Sequence, residues 1–249
     1  MKRIVWILVV AASYILSGCA GIDPKLMGKY LDVQQADDNK KTPVVLLFQG
    51  SAATSDRPYA WASWFLRHGV SAVLIRSASV RNRRDLYGIH YGSDLAPALI
   101  ALENYPNLDL ERYAVMGFSR GGTAALESAA SLSKEQPKPS FVFSLYPGSN
   151  GSCPNRHAES TEIHVFYGDL DDWGTYRGHR DACKAMTSWS SNATFHLFKN
   201  VHHGYDGNGS VRWICCGGRT FTNAPDEEAR DRTRKIILDA IRERWEIAR

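Results

Sequence analysis

The stretch "AVMGFSRGGTAAL", residues 114–126, places Ser119 between two glycines, after an apolar run and before an alanine-rich one. This is the G-x-S-x-G pattern, whose glycines allow a very tight turn from a strand into a helix. Such a turn presents the serine hydroxyl at the N-terminus of the helix. The pattern therefore predicts a nucleophile at Ser119. The alternative is a glycine-rich turn that carries a solvated serine.

Short apolar segments recur on both sides of this stretch and are rich in β-branched or aromatic residues, as strands are. They cover residues 44–48, 70–75, 113–118, 141–146, 163–167 and 194–198. Helix-like segments lie between several of them or follow the last, at residues 59–68, 93–104, 123–133, 179–190 and about 225–245. Strands that alternate with helices predict an α/β fold, with a mostly parallel sheet and helices on both faces.

A serine hydroxyl becomes a good nucleophile only when a base takes its proton, and an acid must orient that base. In this kind of sheet the partners follow at strand ends, in the order serine, acid, histidine. "YGDLDDW" offers Asp169, Asp171 and Asp172, and "NVHHGYD" offers His202 and His203. The sequence therefore predicts a Ser-His-Asp triad and leaves its acid and base open among these residues.

The composition indicates one ordinary globular domain. The chain has 249 residues, of which 44% are hydrophobic, enough for a full core. Its formal charge of +4 is mild and no run of like charges stands out, so we expect no nucleic-acid partner. No Cys/His cluster has zinc spacing, and a calcium loop starting at Asp169 would place Arg180 where a glutamate is needed. We expect no metal and no cofactor.

The N-terminus has the features of a secretory signal: Lys2 and Arg3, a short apolar run over residues 4–15, and "LSGC" ending at Cys19. The last four residues resemble the lipobox of bacterial lipoproteins. This resemblance implies a signal peptide at residues 1–18 and a lipid on Cys19. Ala20 after it points to the outer membrane, facing the periplasm. The alternative is an ordinary signal peptide or an unprocessed anchor.

We expect polar residues 19–41 to be a tether and residues 42–249 to form the globular domain, which would contact the membrane only through the lipid anchor. Export would place the remaining cysteines, Cys153, Cys183, Cys215 and Cys216, in an oxidising compartment where disulfides persist. Four cysteines allow three pairings, and the sequence alone does not choose among them.

Several segments together resemble the dienelactone hydrolase family of α/β-hydrolases, from about residue 43 to the C-terminal helix. They are "VVLLFQG", "DLAPALIAL", "YAVMGFSRGG", "LYPG", "YGDLDDW" and "HHGYD". The resemblance implies that Asp171 is the acid and His203 the base. The enzymes that gave the family its name use cysteine where this chain has Ser119, so a general carboxylic ester is the expected substrate.

The oxyanion that forms when the nucleophile attacks needs two backbone N–H donors. We expect one from Arg120, directly after the nucleophile, and the other from the loop "FQGSAAT", at Ser51 or its neighbour Ala52. Where the family often has His-Gly, this loop has Gln49 and Gly50. This change leaves the backbone N–H donors in place, but the hydrogen bonds that shape the loop must differ from those of the family.

The resembling family also tends to carry one cysteine after its Tyr-Pro-Gly and another after its Asp-Asp-Trp. Both loops leave the sheet at the same end. We therefore predict a disulfide between Cys153 and Cys183 beside the site, within the separation of about 4.4–6.8 Å between Cα atoms that a disulfide needs.

Three loops bear on the substrate. Only a short segment separates "FVFSLYPG" from "IHVFYG", where related hydrolases insert a lid, so we expect no lid and an open site for soluble or extended esters. Arg81 is predicted to bind a substrate carboxylate, with a surface salt bridge as the alternative. The glycine- and aromatic-rich residues 205–221 are expected to lie beside the site and to shape the acyl or alcohol pocket.

These observations predict a serine carboxylesterase of the bacterial envelope that acts through an acyl-enzyme. The alternative is a non-catalytic envelope lipoprotein that keeps the hydrolase fold as a binding scaffold, which fold alone does not exclude. A broken triad would favour the scaffold, and the complete set of triad residue types counts against it.

Overall fold

The computed structural model describes residues 22–52, 55–148, 153, 158–215 and 217–247. The predicted signal peptide at residues 1–18 and the predicted lipidation site Cys19 lie outside these ranges. Across the described part of the chain, no helix combines the length and apolarity needed to cross a membrane.

The strands, in chain order, are β1 Leu31–Gln34, β2 Thr42–Phe48, β3 Ser71–Ile75, β4 Leu108–Phe118, β5 Phe141–Leu145, β6 Glu162–Gly168, β7 Ala193–Phe198, β8 Val211–Cys215 and β9 Arg219–Asn223. The α-helices are α1 Pro24–Gly28, α2 Arg57–Leu66, α3 Ser77–Val80, α4 Leu95–Leu102, α5 Arg120–Ser131, α6 Asp172–Thr175, α7 His179–Trp189 and α8 Glu227–Trp245. Two short 3₁₀ helices cover Gly92–Asp94 and Tyr176–Gly178.

Seven strands form one sheet in the order β1-β3-β2-β4-β5-β6-β7. Every neighbouring pair is parallel except β1 and β3. Strands β2, β3 and β5 are buried along their whole length, as the near-continuous apolar runs of a parallel sheet covered on both faces require. All six predicted strands lie in this sheet, so the predicted fold class is confirmed.

The predicted tether at residues 19–41 is wrong for residues 24–34, which form a helix and a strand of the folded domain. Helix α1 packs against α4, and Met27 is fully buried. Strand β1 pairs antiparallel with β3, with Leu31 opposite Ile75. The folded domain therefore begins well before the predicted boundary at residue 42. Both elements are only four or five residues long. Strand β1 is stabilised by pairing with a strand about forty residues later, so no local sequence pattern predicts it.

Two connections bear on access to the site. Strand β5 ends at Leu145 and β6 begins at Glu162, so residues 146–161 make a connection too short for a lid domain. Strands β8 and β9 form a separate two-stranded antiparallel sheet between β7 and α8. We call residues 211–223 the hairpin. The sequence predicted a loop there, because neither short strand has the apolar run of the main sheet.

The parallel sheet brings distant parts of the chain to one edge. Ser119 follows β4, Gly148 follows β5 by three residues, Asp171 follows β6 and His203 follows β7. Ligands of open α/β sheets bind outside the carboxyl ends of the strands. The topology therefore gathers the predicted nucleophile, acid and base at the edge where a site is expected.

Candidate active site

Ser119 lies on a strained turn between β4 and α5. Its backbone has φ 53° and ψ −121°, a combination that a residue with a Cβ atom rarely adopts. The surrounding backbone holds it there: Ser119 N–H donates to the carbonyl of Leu145 at 3.0 Å, and the Ser119 carbonyl accepts from Gly122 N–H at 2.8 Å. Hydrogen bonds to β5 and α5 thus hold the strained backbone of Ser119, and its side chain lies at the start of the helix.

The two glycines of the motif are required by close packing of backbones. A Cβ atom on Gly117 would lie 2.0 Å from the carbonyl oxygen of Gly121. A Cβ atom on Gly121 would lie 2.3 Å from the carbonyl oxygen of Gln49 and 2.4 Å from that of Phe48. We call residues 117–121 the nucleophile turn. It leaves no room for a methyl group at either glycine, and its position is fixed against the end of β2.

A chain of hydrogen bonds joins Ser119, His203 and Asp171. The Ser119 hydroxyl oxygen lies 2.9 Å from His203 Nε2, and His203 Nδ1 lies 3.0 Å from each carboxylate oxygen of Asp171. Asp171 is fully buried and His203 almost so. An ionised carboxylate only accepts hydrogen bonds, so it favours a proton on Nδ1 and leaves Nε2 free to accept the hydroxyl proton. Asp171 also accepts from Gly174 N–H at 2.7 Å, which fixes the carboxylate.

The residues that the sequence left open as alternatives have other partners or positions. Asp169 accepts from the backbone N–H of Asn200 at 2.6 Å. Asp172 accepts from the N–H of Thr222 in β9 at 3.0 and 3.2 Å. Burial raises the pKa of Asp172, and the hydrogen bonds from Thr222 partly offset that rise. His202 Nδ1 is buried, with no hydrogen-bond partner among the described residues. Neither Asp169 nor Asp172 is therefore hydrogen-bonded to the imidazole that faces Ser119.

The predicted oxyanion donors lie on the two segments that meet at Ser119. Arg120 is the first residue of α5, where backbone N–H groups have no partner within the helix. A Cβ atom on Gly50 would lie 3.7 Å from the Cβ of Ser119, so the loop after β2 passes beside the nucleophile. Ser51 follows Gly50, and its carbonyl is held by Leu86 N–H at 3.0 Å. Both segments thus border Ser119.

The loop after β5 forms another wall of the site. A Cβ atom on Gly148 would lie 3.8 Å from both the Ser119 hydroxyl oxygen and His203 Cε1. The Tyr167 hydroxyl braces this loop from below by donating to the Pro147 carbonyl at 2.5 Å. The same hydroxyl lies 2.9 Å from His179 Nδ1. A glycine at position 148 leaves the approach to the hydroxyl open.

A disulfide lies behind this wall. Cys153 and Cys183 are bonded, with their Cα atoms 4.8 Å apart, and Cys183 Sγ lies 3.9 Å from the Tyr167 hydroxyl. This is the pairing that the family resemblance implies. The disulfide joins the loop after β5 to α7, which follows the loop that carries Asp171.

A buried polar cluster behind His203 was not predicted. The carboxylate of Asp206 accepts hydrogen bonds from the Tyr146 hydroxyl and, at 2.7 Å, from Trp61 Nε1. It also forms an ion pair with Arg57, whose Nε lies 3.0 Å away. The Tyr146 ring packs edge-on against the His203 ring, with centroids 4.6 Å apart. Burial raises the pKa of Tyr146 well above its usual value, so the phenol stays a neutral donor. The cluster fixes the loop that carries the histidine.

The predicted role of Arg81 in binding a substrate carboxylate is wrong. Its guanidinium makes two hydrogen bonds of 2.7 Å to the carboxylate of Asp94 and one of 3.0 Å to the carbonyl of Ser77. Asp94 is fully buried, so this is not the surface salt bridge that was the alternative. A bidentate pair of this kind commits the guanidinium to one partner. Arg81 therefore holds α3 to the 3₁₀ helix that precedes α4.

The hairpin adds aromatic side chains beside His203, as the composition of residues 205–221 indicated. Trp173 follows Asp171 by two residues, and its ring centroid lies 6.3 Å from that of His203. Phe221 of β9 stacks on Trp173, and Trp213 of β8 meets it edge-on. In the part of the chain that the structure describes, no group of three or more His, Cys, Asp or Glu side chains is arranged to hold a metal ion.

No family model and no curated protein matches the chain. Its fold is similar to that of several solved structures. A thermophilic esterase from the Planctomycetes species Thermogutta terrifontis is 13% identical, has a TM-score of 0.61 and matches over 86% of each chain. An α/β hydrolase from a Medee basin deep-sea metagenome library is 24% identical, with a TM-score of 0.60, over 81% of this chain and 85% of that one. A dienelactone hydrolase-like promiscuous phosphotriesterase from metagenomic libraries is 16% identical, with a TM-score of 0.59, over 86% and 97%. This chain therefore has the α/β-hydrolase fold.

Proposed function

We propose that this protein is a serine hydrolase that cleaves carboxylic esters through an acyl-enzyme. One observation carries the proposal: Ser119, His203 and Asp171 form a continuous hydrogen-bonded chain on a strained strand-to-helix turn. The names of similar structures support it, since they include an esterase, which has also been solved phosphoramylated by tabun, and a phosphotriesterase. Reagents and substrates of this kind present an electrophilic centre to a nucleophile.

The first half of the reaction forms the acyl-enzyme. The Ser119 oxygen attacks the ester carbonyl carbon while its proton passes to His203 Nε2, and the buried carboxylate of Asp171 stabilises the imidazolium. The backbone N–H groups of Arg120 and Ser51 stabilise the oxyanion. When the tetrahedral intermediate collapses, the bond to the alcohol oxygen breaks. The proton on His203 Nε2 passes to that oxygen, and the alcohol leaves.

The second half releases the acid. His203 Nε2 takes a proton from water, whose oxygen attacks the acyl carbon bonded to Ser119. Collapse of the second tetrahedral intermediate returns the proton to the serine oxygen and frees the carboxylic acid. Each proton that His203 accepts is given back, so one turnover consumes one ester and one water.

The test combines covalent labelling with turnover. A fluorophosphonate probe should label the wild type and spare Ser119→Ala, which should also lose hydrolysis of esters of graded acyl length by on the order of 10⁴-fold or more. His203→Ala should lose most turnover, whereas the matched variant His202→Ala should retain most of it. Equal labelling of wild type and Ser119→Ala, or labelling of neither, would contradict the proposal.

We further propose that the protein is related to the dienelactone hydrolases and acts on soluble or extended esters. The motifs from "VVLLFQG" to "HHGYD" support the relationship, and so does the dienelactone hydrolase-like name of one similar structure. Serine at the nucleophile position favours general carboxylic esters over dienelactone. The short connection of residues 146–161 supports an open site.

We also propose that the protein is a lipoprotein of the bacterial envelope, anchored in the outer membrane and facing the periplasm. The support is "LSGC" after a short apolar run, with Ala20 next to Cys19. Expressed in a bacterium fed radiolabelled palmitate, the full chain should take up label. Cys19→Ser should abolish the label and leave an uncleaved precursor. Label that persists in Cys19→Ser would contradict lipidation at this residue.

A further inference from the structure

The base of the hairpin is fixed to both loops that carry triad residues. Asn223 pairs with His203 in a parallel bridge, and Ala224 N–H donates to the His203 carbonyl at 3.2 Å. On the acid's side, Thr222 N–H donates to the carboxylate of Asp172 at 3.0 and 3.2 Å. Side chains of the hairpin therefore keep a defined position relative to the triad.

Three aromatic side chains lead outwards from His203. Trp173 lies nearest, and its indole stacks on Phe221 with centroids 3.9 Å apart and planes 23° apart. Trp213 is opposite Phe221 in the ladder and meets Trp173 edge-on at 6.2 Å. We call Trp173, Phe221 and Trp213 the aromatic row. It begins 6.3 Å from the ring centroid of His203 and ends in the hairpin.

The outer end of the aromatic row is open to solvent. Phe221 is only 2% exposed, whereas Trp213 is 43% exposed. The next residue of β8, Ile214, is 77% exposed, and successive side chains of a strand point to opposite faces. Trp213 therefore presents a half-open indole on the face of the hairpin that borders the site, and Ile214 lies on the other face. Large aromatic side chains held open beside polar reacting groups are typical of ligand sites.

The position of His203 decides which part of an ester would meet this surface. His203 Nε2 must return its proton to the leaving oxygen, so the alcohol part of the ester lies on the imidazole's side of the carbonyl carbon. The aromatic row begins on that side, at Trp173. The acyl part remains bonded to Ser119 and extends away from the imidazole.

We infer that the aromatic row is the subsite for the alcohol part of the substrate and selects alcohols that carry a flat apolar ring. The inference rests on the ester hydrolysis proposed above. An indole offers such a ring a stacking or edge-on partner, and the ring would cover apolar surface that Trp213 now exposes to water. A small aliphatic alcohol would gain neither contact.

The experiment compares three esters on the purified full chain. Benzyl acetate and ethyl acetate share the acyl part and differ only in the alcohol, and the two alcohols have similar acidity. Ethyl phenylacetate carries the ring on the acyl side instead. Wild type should prefer benzyl acetate over ethyl acetate in kcat/KM. Trp213→Ala should lower kcat/KM for benzyl acetate about three- to tenfold and leave the other two esters within about twofold. Trp213→Phe, which keeps a ring, should restore most of the preference, and Ile214→Ala is the matched control that should change none of the three.

The outcomes separate the inference from the proposed function. A benzyl-to-ethyl ratio that Trp213→Ala leaves unchanged would overturn the inference, as would an equal loss on all three esters. A selective loss on ethyl phenylacetate would overturn it too, because the ring would then bind on the acyl side. Failure of the wild type to hydrolyse any of the three esters would overturn the proposed function itself, and the inference with it.

Discussion

Two segments, the nucleophile turn and the hairpin, border the same histidine, His203, and they are built in opposite ways. In the nucleophile turn, a methyl group on Gly117 or Gly121 would come within 2.0–2.4 Å of backbone oxygens. Near the start of the hairpin, a methyl group on Gly209 would meet nothing within 4 Å, and Ile214 is largely exposed. One segment is fixed by contacts between backbones of β2, β4 and α5. The other is held mainly through the side chains and backbone of its second strand, whereas Ile214 of its first strand stays exposed.

This difference separates the two tasks of the proposed enzyme. The position of the Ser119 hydroxyl depends on contacts between backbone atoms, which a change of side chain elsewhere cannot restore. The proposed reaction therefore takes place on a part of the fold that tolerates few substitutions. The hairpin forms its own two-stranded sheet and exposes Trp213 and Ile214, so substitution at these two residues does not disturb the main sheet. Substrate preference can therefore change there while the reaction stays the same.

The most severe test of this contrast adds a single methyl group in the nucleophile turn and another just before the hairpin. In Gly121→Ala the new Cβ would lie 2.3 Å from the Gln49 carbonyl oxygen and 2.4 Å from that of Phe48, so the turn and the end of β2 must separate. We expect a loss of about 3 kcal/mol or more in the free energy of unfolding, and at least about 100-fold in kcat because Ser119 is displaced. Urea denaturation and ester turnover measure the two effects.

The control is Gly209→Ala, whose Cβ atom enters open space. It should change the free energy of unfolding by no more than about 0.5 kcal/mol and leave turnover intact. Comparable losses in Gly209→Ala and Gly121→Ala would show that the segment leading into the hairpin is as tightly constrained as the nucleophile turn, and would contradict this contrast.

The next test concerns the loop that carries His203, which contacts both Ser119 and the last residue of the hairpin. Asp206→Asn removes the charge that pairs with Arg57 and weakens the acceptor for Trp61 and Tyr146. A buried cation without its partner is costly, and we expect a loss of about 3 kcal/mol in the free energy of unfolding. This is the low end of the range for broken buried pairs, because the Arg57 side chain remains 19% exposed.

The matched control makes the same substitution in a surface ion pair. Asp231 lies within 3.4–3.5 Å of Arg230 and Arg234, and its side chain is 65% exposed. Asp231→Asn should therefore cost less than about 1 kcal/mol. Urea unfolding of both variants against wild type makes the comparison. If Asp206→Asn is no more destabilised than Asp231→Asn, the buried cluster does not stabilise the histidine loop.

The sequence predicts those parts of this molecule whose physical cause is local. The apolar runs of β2, β3 and β5 follow from burial on both faces of the parallel sheet, and the turn at Ser119 is marked by its glycines. Asp171, by contrast, is chemically equivalent to its neighbours Asp169 and Asp172. The family resemblance indicated Asp171, but only the path of the loop after β6 shows which carboxylate meets His203.

The failed and missed predictions depend on partners far away in the chain. Asp206 contacts Trp61, 145 residues earlier, and nothing near either residue indicates the contact. The partner of Arg81 is Asp94, which lies in the 3₁₀ helix Gly92–Asp94. The burial of Asp94 depends on the packing of α5 against that helix. A short arginine-rich segment gives no information about such packing. This is why a substrate-binding role for Arg81 was a reasonable prediction from the sequence and is nevertheless wrong.

The smallest expected effect is a pH dependence on the rigid side of the site. His179 is buried, and its Nδ1 lies 2.9 Å from the Tyr167 hydroxyl that braces Pro147. Burial lowers its pKa to about 4, although the Pro147 carbonyl and Asp171 favour the charged form. Unfolding would return the pKa to about 6.5. Between these two values the unfolded chain binds more protons, so the free energy of unfolding falls as the pH falls.

The contribution of His179 is fully present above pH 6.5 and decreases by up to about 1.4 kcal/mol per pH unit below it, or roughly 2 kcal/mol at pH 5. Urea unfolding of wild type and His179→Gln between pH 7 and pH 5 measures it as the difference between two curves. Burial also lowers the pKa of His196 to about 4. Because His196 is present in both wild type and His179→Gln, its contribution cancels in the difference between their curves. His90→Gln replaces a mostly exposed ring and should follow the wild type. Parallel curves for wild type and His179→Gln would mean that proton binding at His179 is not coupled to folding. Acid would then leave the brace beneath Pro147 unaffected, and pH would not distinguish the rigid side of the site from the hairpin.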